Sequence, residues 1–192
     1  MDKLQRIVGV IDEIVEANTK LAHFWSQAHG WAPPSASELM SKSRLDWQVS
    51  LSKVLKNWVS SHLDDGELIL AWSNLGVLLE GTLKLYLSVY LEDYLKDELV
   101  PRGKKGKVLQ ADILTLEQLK TFCKKKALLD QVQIDFVEKI QNRRNAIHAY
   151  KNRPLGDTSE WHECLDWYMD LVVEINSRLP YPEGYCRIQI SR

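Results

Sequence analysis

The stretch from Glu67 to Tyr94 reads ELILAWSNLGVLLEGTLKLYLSVYLEDY, and it decides the fold class. Leu68, Ile69, Trp72, Leu75, Leu78, Leu79, Leu83, Tyr86, Leu87, Tyr90, Leu91 and Tyr94 recur at intervals of three and four. That spacing belongs to a helix and not to a strand, which would alternate every second residue. The apolar residues cover much of the circumference, so this helix, expected over about Glu67 to Leu99, is either central or covered by another chain. Gly76 and Gly81 within it mark a close approach by a neighbouring element.

The same period runs outward on both sides. A first helix is expected from about Asp2 to Ala28, with Leu4, Ile7, Val8, Ile11, Ile14, Val15 and Leu21 on one side. Gly30 to Pro34 ends it. Ser35 or Ser37 caps a second helix that carries Leu39, Leu45, Val49, Leu51, Val54, Leu55, Trp58 and Val59 and fades at Asp64-Asp65-Gly66. After the central helix, Pro101 to Lys107 breaks the period and reads as an exposed, mobile basic loop. Thr115, with Glu117-Gln118 just behind it, opens a short fourth helix, and Asp130 opens a fifth that runs to about Ala149. A sixth is expected from about Thr158 to Leu179, stopped by Pro180 and Pro182. The tail, residues 181 to 192, reads either as a short strand or as disordered. Few, long helices with short connections describe an all-α helical bundle of five to six helices, one domain over residues 1–192 with its core in about 1–180.

Composition narrows the function classes. The chain is 45% hydrophobic and 27% charged, the balance of an ordinary globular domain. No apolar run is long enough to predict a membrane span, and the first residues lack the apolar core of a secretory signal. Three widely spaced cysteines, Cys123, Cys164 and Cys186, suit a reducing cytoplasm and neither a disulfide framework nor a zinc site. No phosphate-binding glycine loop and no metal-ligand spacing is present, so neither cofactor nor metal is expected. The net charge of -1 conceals a basic middle: residues 100 to 153 hold 13 Lys/Arg against 5 Asp/Glu. Such a segment is a solvated face or a surface for a polyanion.

Within it lies Asn142-Arg143-Arg144-Asn145-Ala146-Ile147-His148-Ala149-Tyr150. A histidine exchanges protons near neutral pH, and an arginine offers a planar fork of donors that fits a phosphate. On a continuous helix, Arg144 and His148 would lie about 40° apart, Asn145 about 60° to the other side of His148, and Arg143 about 140° away. That geometry favours Arg144, Asn145 and His148 as one polar patch. Arginines in the last turn also simply suit the helix dipole.

Arg143, four intervening residues and His148 resemble the motif of the HEPN family, all-helical domains of which many are metal-independent ribonucleases. His148-Ala149-Tyr150 is similar to the His-x-Tyr extension of the toxin branch paired with a nucleotidyltransferase antitoxin. The commoner family form places asparagine directly after the arginine. Here that neighbour belongs to Arg144, which sits one residue closer to His148, so spacing favours Arg143 and local geometry Arg144.

The resemblance implies internal transesterification of RNA, with His148 taking the 2′-OH proton and an arginine binding the scissile phosphate. It implies Asn145 as an orienting or phosphate-holding group and Tyr150 as a substrate contact or modification target. Lys151, Arg102, Lys104 and Lys105 are the further candidates for holding RNA. It also implies a homodimer through the motif helices, with a nucleotidyltransferase-type antitoxin or another protein as partner. The setting would be a toxin–antitoxin, stress or phage-defence system. A non-catalytic HEPN-like module that binds a partner protein or nucleotide is the alternative.

Overall fold

The structure is a computed structural model and describes residues 2–148 and 150–183. Eight α-helices are present among the described residues: α1 (Lys3–Trp25), α2 (Pro34–Lys42), α3 (Leu45–Val54), α4 (Asp65–Val89), α5 (Leu91–Lys96), α6 (Leu116–Lys125), α7 (Gln131–Arg144) and α8 (Thr158–Ser177). Short 3₁₀ turns follow α3 (Leu55–Trp58) and α7 (Asn145–His148). No strand occurs among the described residues, only one isolated antiparallel bridge between Arg102 and Val108. The all-helical bundle expected from the period is present. Residues 184–192, expected as strand or disorder, lie outside the described residues.

Helix α4 is the axis. It packs against α2, α3, α6, α7 and α8, and Ala71, Trp72, Leu75, Leu78 and Leu79 are fully buried along it. It is the one helix among the described residues long and apolar enough to cross a membrane, and 61% of the apolar window is buried inside the protein. That burial is what a core helix requires. Around it, α1 contributes Ile7, Ile11, Ile14 and Trp25, and α8 contributes Trp161, Leu165, Tyr168 and Met169. A buried polar knot fixes three helices: the Tyr168 hydroxyl lies 3.0 Å from Thr82 Oγ1, while Gln48 Nε2 donates to the Leu78 carbonyl at 2.7 Å.

Four helix starts, those of α4, α6, α7 and α8, are capped by a side chain, whereas α2 begins at Pro34 with Pro33 before it and no side-chain cap, so neither Ser35 nor Ser37 caps it as expected. Asp64, Thr115 and Asp130 each accept from the backbone N–H three residues on, with Glu67, Gln118 and Gln133 reaching back to complete a reciprocal box.

Three expected boundaries differ. The single second helix is two, because Ser43 (ψ 141°) and Arg44 (ψ 61°) leave helical geometry and the Arg44 guanidinium instead grips Asp46 and lies over the Trp47 ring. The long central helix stops at Val89, where Tyr90 (ψ 34°) bends the chain into α5. The fifth helix ends at Arg144 and tightens into the 3₁₀ turn. The basic segment is exposed as expected, yet it is a closed turn. Gly103 N donates to the Lys107 carbonyl at 2.8 Å and Leu109 N to the Pro101 carbonyl at 2.9 Å. Lys105 sits in the left-handed region (φ 64°) at its tip.

Candidate functional site

The motif residues lie where α7 ends, and the end of α7 is tied to two other helices. Arg143 turns toward α8. Its Nη2 donates to both carboxylate oxygens of Glu160, at 3.0 and 2.9 Å, and its Nη1 donates to the Pro154 carbonyl. The pair is mostly buried, with side-chain exposures of 16% and 21%. Room for it comes from Gly156, whose φ of +72° excludes most side chains and where a Cβ would come within 1.8 Å of Glu160 Oε2. Lys139 also approaches Glu160, at 3.4 Å.

Arg144 turns toward α4. Its Nη1 donates to Glu80 Oε2 at 2.8 Å and to the Gly76 carbonyl at 3.3 Å. A Cβ on Gly76 would come within 2.6 Å of Arg144 Cδ, so the glycine lets the arginine lie flat across the helix. Gly81 serves in the same way for Gln48. Burial opposes ionisation of Glu80, but hydrogen bonds from Lys84 and Arg144 outweigh it and hold its pKa below the usual glutamate value. Both arginines therefore spend their guanidinium groups inside the chain, on carboxylates 17 and 64 residues away.

His148 is exposed; its backbone carbonyl accepts from Tyr150 N, and its imidazole has no hydrogen-bond or ion-pair partner among the described residues. In the 3₁₀ turn, three residues per turn place Asn145 in line with His148 and put Arg144 about 120° away. The continuous helix assumed for a patch of Arg144, Asn145 and His148 ends at Arg144, whose guanidinium is held by Glu80. Tyr150 is fully solvent-facing, Lys151 is exposed, Ile147 is about half exposed, and Ala146 is buried. Ala149 lies outside the described residues. The chain beyond is fixed again by Trp72, whose Nε1 donates to the Leu155 carbonyl at 2.8 Å.

Arg102, Lys104 and Lys105 belong to the closed turn before α6, not to the motif turn. Of the described cysteines, Cys123 and Cys164 are buried, and burial pushes both thiols up to about 12; Cys186 lies outside the described residues. No cluster of three or more potential metal ligands occurs among the described residues. Glu160 and Glu80, the two residues that decide what the arginines do, were not singled out in the sequence. Spacing alone carries no sign of a pairing made across helices.

Comparison with protein-family models, with curated proteins and with solved structures finds no match.

Proposed function

We propose that the chain is a metal-independent endoribonuclease of the HEPN type, of the toxin–antitoxin, stress or defence kind, with His148 as its general base. The observation that supports this is the state of His148: an imidazole exposed on a turn whose two flanks are fixed by Arg143, Arg144 and Trp72. A base at such a position takes a 2′-OH proton without reorganising the fold, worth roughly 10²- to 10⁴-fold in rate. Within one chain the arginines position this turn and do not bind phosphate. The anion contact then comes from Lys151 or from a second chain meeting this turn. DNA lacks the attacking hydroxyl and is not a substrate.

The test is incubation of the purified protein with total RNA in chelator, with analysis of the new ends. Cleavage leaving cyclic 2′,3′-phosphates, lost in His148→Ala with the fold intact, is the expected result. Cleavage by His148→Ala at the parent rate removes the role of His148, and an inert parent removes the activity. The second reading, a non-catalytic helical module that docks a partner, is favoured by one observation: both guanidinium groups are already neutralised by carboxylates. It requires an inert parent and a partner contact that Ile147→Asp or Tyr150→Asp abolishes.

A further inference from the structure

The far end of the basic segment gathers cations that the motif does not use. Arg102, Lys104, Lys105 and Lys107 are exposed on the closed turn, and Lys124 and Lys125 are exposed in the last turn of α6. None of the six has a carboxylate within 4.0 Å among the described residues, whereas Lys126 beside them is paired with Asp97 at 2.7 Å. Tyr94 joins the two groups. Its hydroxyl donates to the Leu109 carbonyl at 2.7 Å, where the basic turn closes, and its ring meets Phe122 of α6 edge-on with centroids 5.2 Å apart.

Beside this junction opens a pocket of about 220 Å³, walled by Tyr86, Tyr90 and Phe122 and rimmed by Asp93, Asp97 and Lys126. It is smaller than the roughly 300–1,000 Å³ of a pocket for a drug-sized ligand, and its walls are largely aromatic. At the rim Asp97 is paired with Lys126, which leaves Asp93 as the open carboxylate, and the six cations lie on the turn and helix beside it. Asp93 is exposed, carries no ion pair among the described residues, and can only accept hydrogen bonds when ionised. It suits a flat ring bearing N–H donors, while the surrounding cations suit a chain of phosphates.

We propose that this end of the molecule binds single-stranded RNA, with one base seated in the Tyr86–Tyr90–Phe122 pocket and the neighbouring phosphates on the six unpaired cations. Stacking on aromatic rings and a cationic track are together sufficient for a single strand and need no base-specific groove. The carboxylate rim adds a preference for bases with an amino group, adenine over uracil. The preference for RNA over other single strands rests on the proposed ribonuclease reading; the pocket and the track do not.

The test is fluorescence anisotropy with short labelled oligoadenylate and oligouridylate, using the full chain carrying His148→Ala so that no cleavage intervenes. Binding is expected, tighter for oligoadenylate, with log K falling linearly as log salt rises. Lys104→Glu/Lys105→Glu and Lys124→Glu/Lys125→Glu should each weaken binding at least tenfold and flatten the salt slope by about 1.4, at about 0.7 per phosphate contact. Tyr86→Ala should weaken binding roughly tenfold with the slope unchanged. Circular dichroism confirms that each variant is folded. Charge reversals that leave affinity and slope unchanged, or a folded protein that binds anionic phospholipid vesicles and no oligonucleotide, overturn the proposal. Because His148 is already replaced, failure of binding here and failure of cleavage in the motif assay are separate outcomes.

Discussion

The pairing of Arg143 with Glu160 can be measured by a double-mutant cycle of Arg143→Met, Glu160→Gln and the double variant. One guanidinium nitrogen meets both carboxylate oxygens at 3.0 and 2.9 Å, and neither side chain is more than 21% exposed. Each hydrogen bond between charged groups contributes about 1.5–3 kcal/mol, and desolvation of both ions offsets part of that. A single nitrogen serving both oxygens also falls short of the parallel two-nitrogen fork. Lys139 stays 3.4 Å from the carboxylate when the arginine is gone, which limits the charge left bare. The expected coupling is therefore about 1–2 kcal/mol.

Arg143→Met alone should cost about 2–3 kcal/mol, since the Pro154 carbonyl also loses its donor. At about 2–4 °C per kcal/mol for a domain of this size, Tm falls by about 4–12 °C. Urea unfolding followed by circular dichroism gives the free energies, and thermal unfolding gives the Tm. A coupling below about 0.3 kcal/mol would refute the assignment of Arg143 as a tie between α7 and α8, and would return its guanidinium to the pool of groups free to bind phosphate.

Two further outcomes are expected. Gly76→Ala pushes a methyl group to within 2.6 Å of Arg144 Cδ and should lower stability by about 1–2 kcal/mol. The double variant Gly76→Ala/Arg144→Ala loses the 2.6 Å contact and keeps only the Arg144 Cβ at 3.1 Å, so Gly76→Ala should cost less in the Arg144→Ala background than in the parent; an equal or larger cost in thermal unfolding would contradict the contact. His162 is buried with both ring nitrogens unpartnered among the described residues, and burial, then Lys3 and Arg6, lowers its pKa from 6.5. The unfolded chain then binds the proton more tightly, so stability is full above about pH 6.5 and is lost as pH falls from there through the lowered folded value. His162→Gln should flatten that acid limb in pH-dependent urea unfolding, and an unchanged limb would count against it.

Much of this architecture was readable in the chain because its causes are local. Thr115 with Gln118 and Asp130 with Gln133 announce two helix starts by the chemistry of their side chains. The spacing of Leu68, Trp72, Leu75 and Leu79 announces a central helix. The breaks at Ser43–Arg44 and Tyr90 carry neither glycine nor proline, so the usual breaker residues do not announce them. At the candidate site the sequence placed His148 on an exposed edge but could not say where Arg143 and Arg144 point. That depends on Glu160 and Glu80, brought close only by the tertiary fold, and on the change from 3.6 to three residues per turn at Asn145.

The lacing of α1 to α8 has a kinetic consequence. Lys3 reaches Ser159, Arg6 reaches Asp166 and Trp25 reaches Tyr181, contacts separated by 156 to 160 positions in the sequence. Closing so large a loop is entropically slow and rewards nothing until the last helix is made. During synthesis α1 can pack on α3 early, but the part of its surface that α8 covers stays open until that much later helix is translated. The interval between those two events is when the nascent polypeptide is most exposed to aggregation.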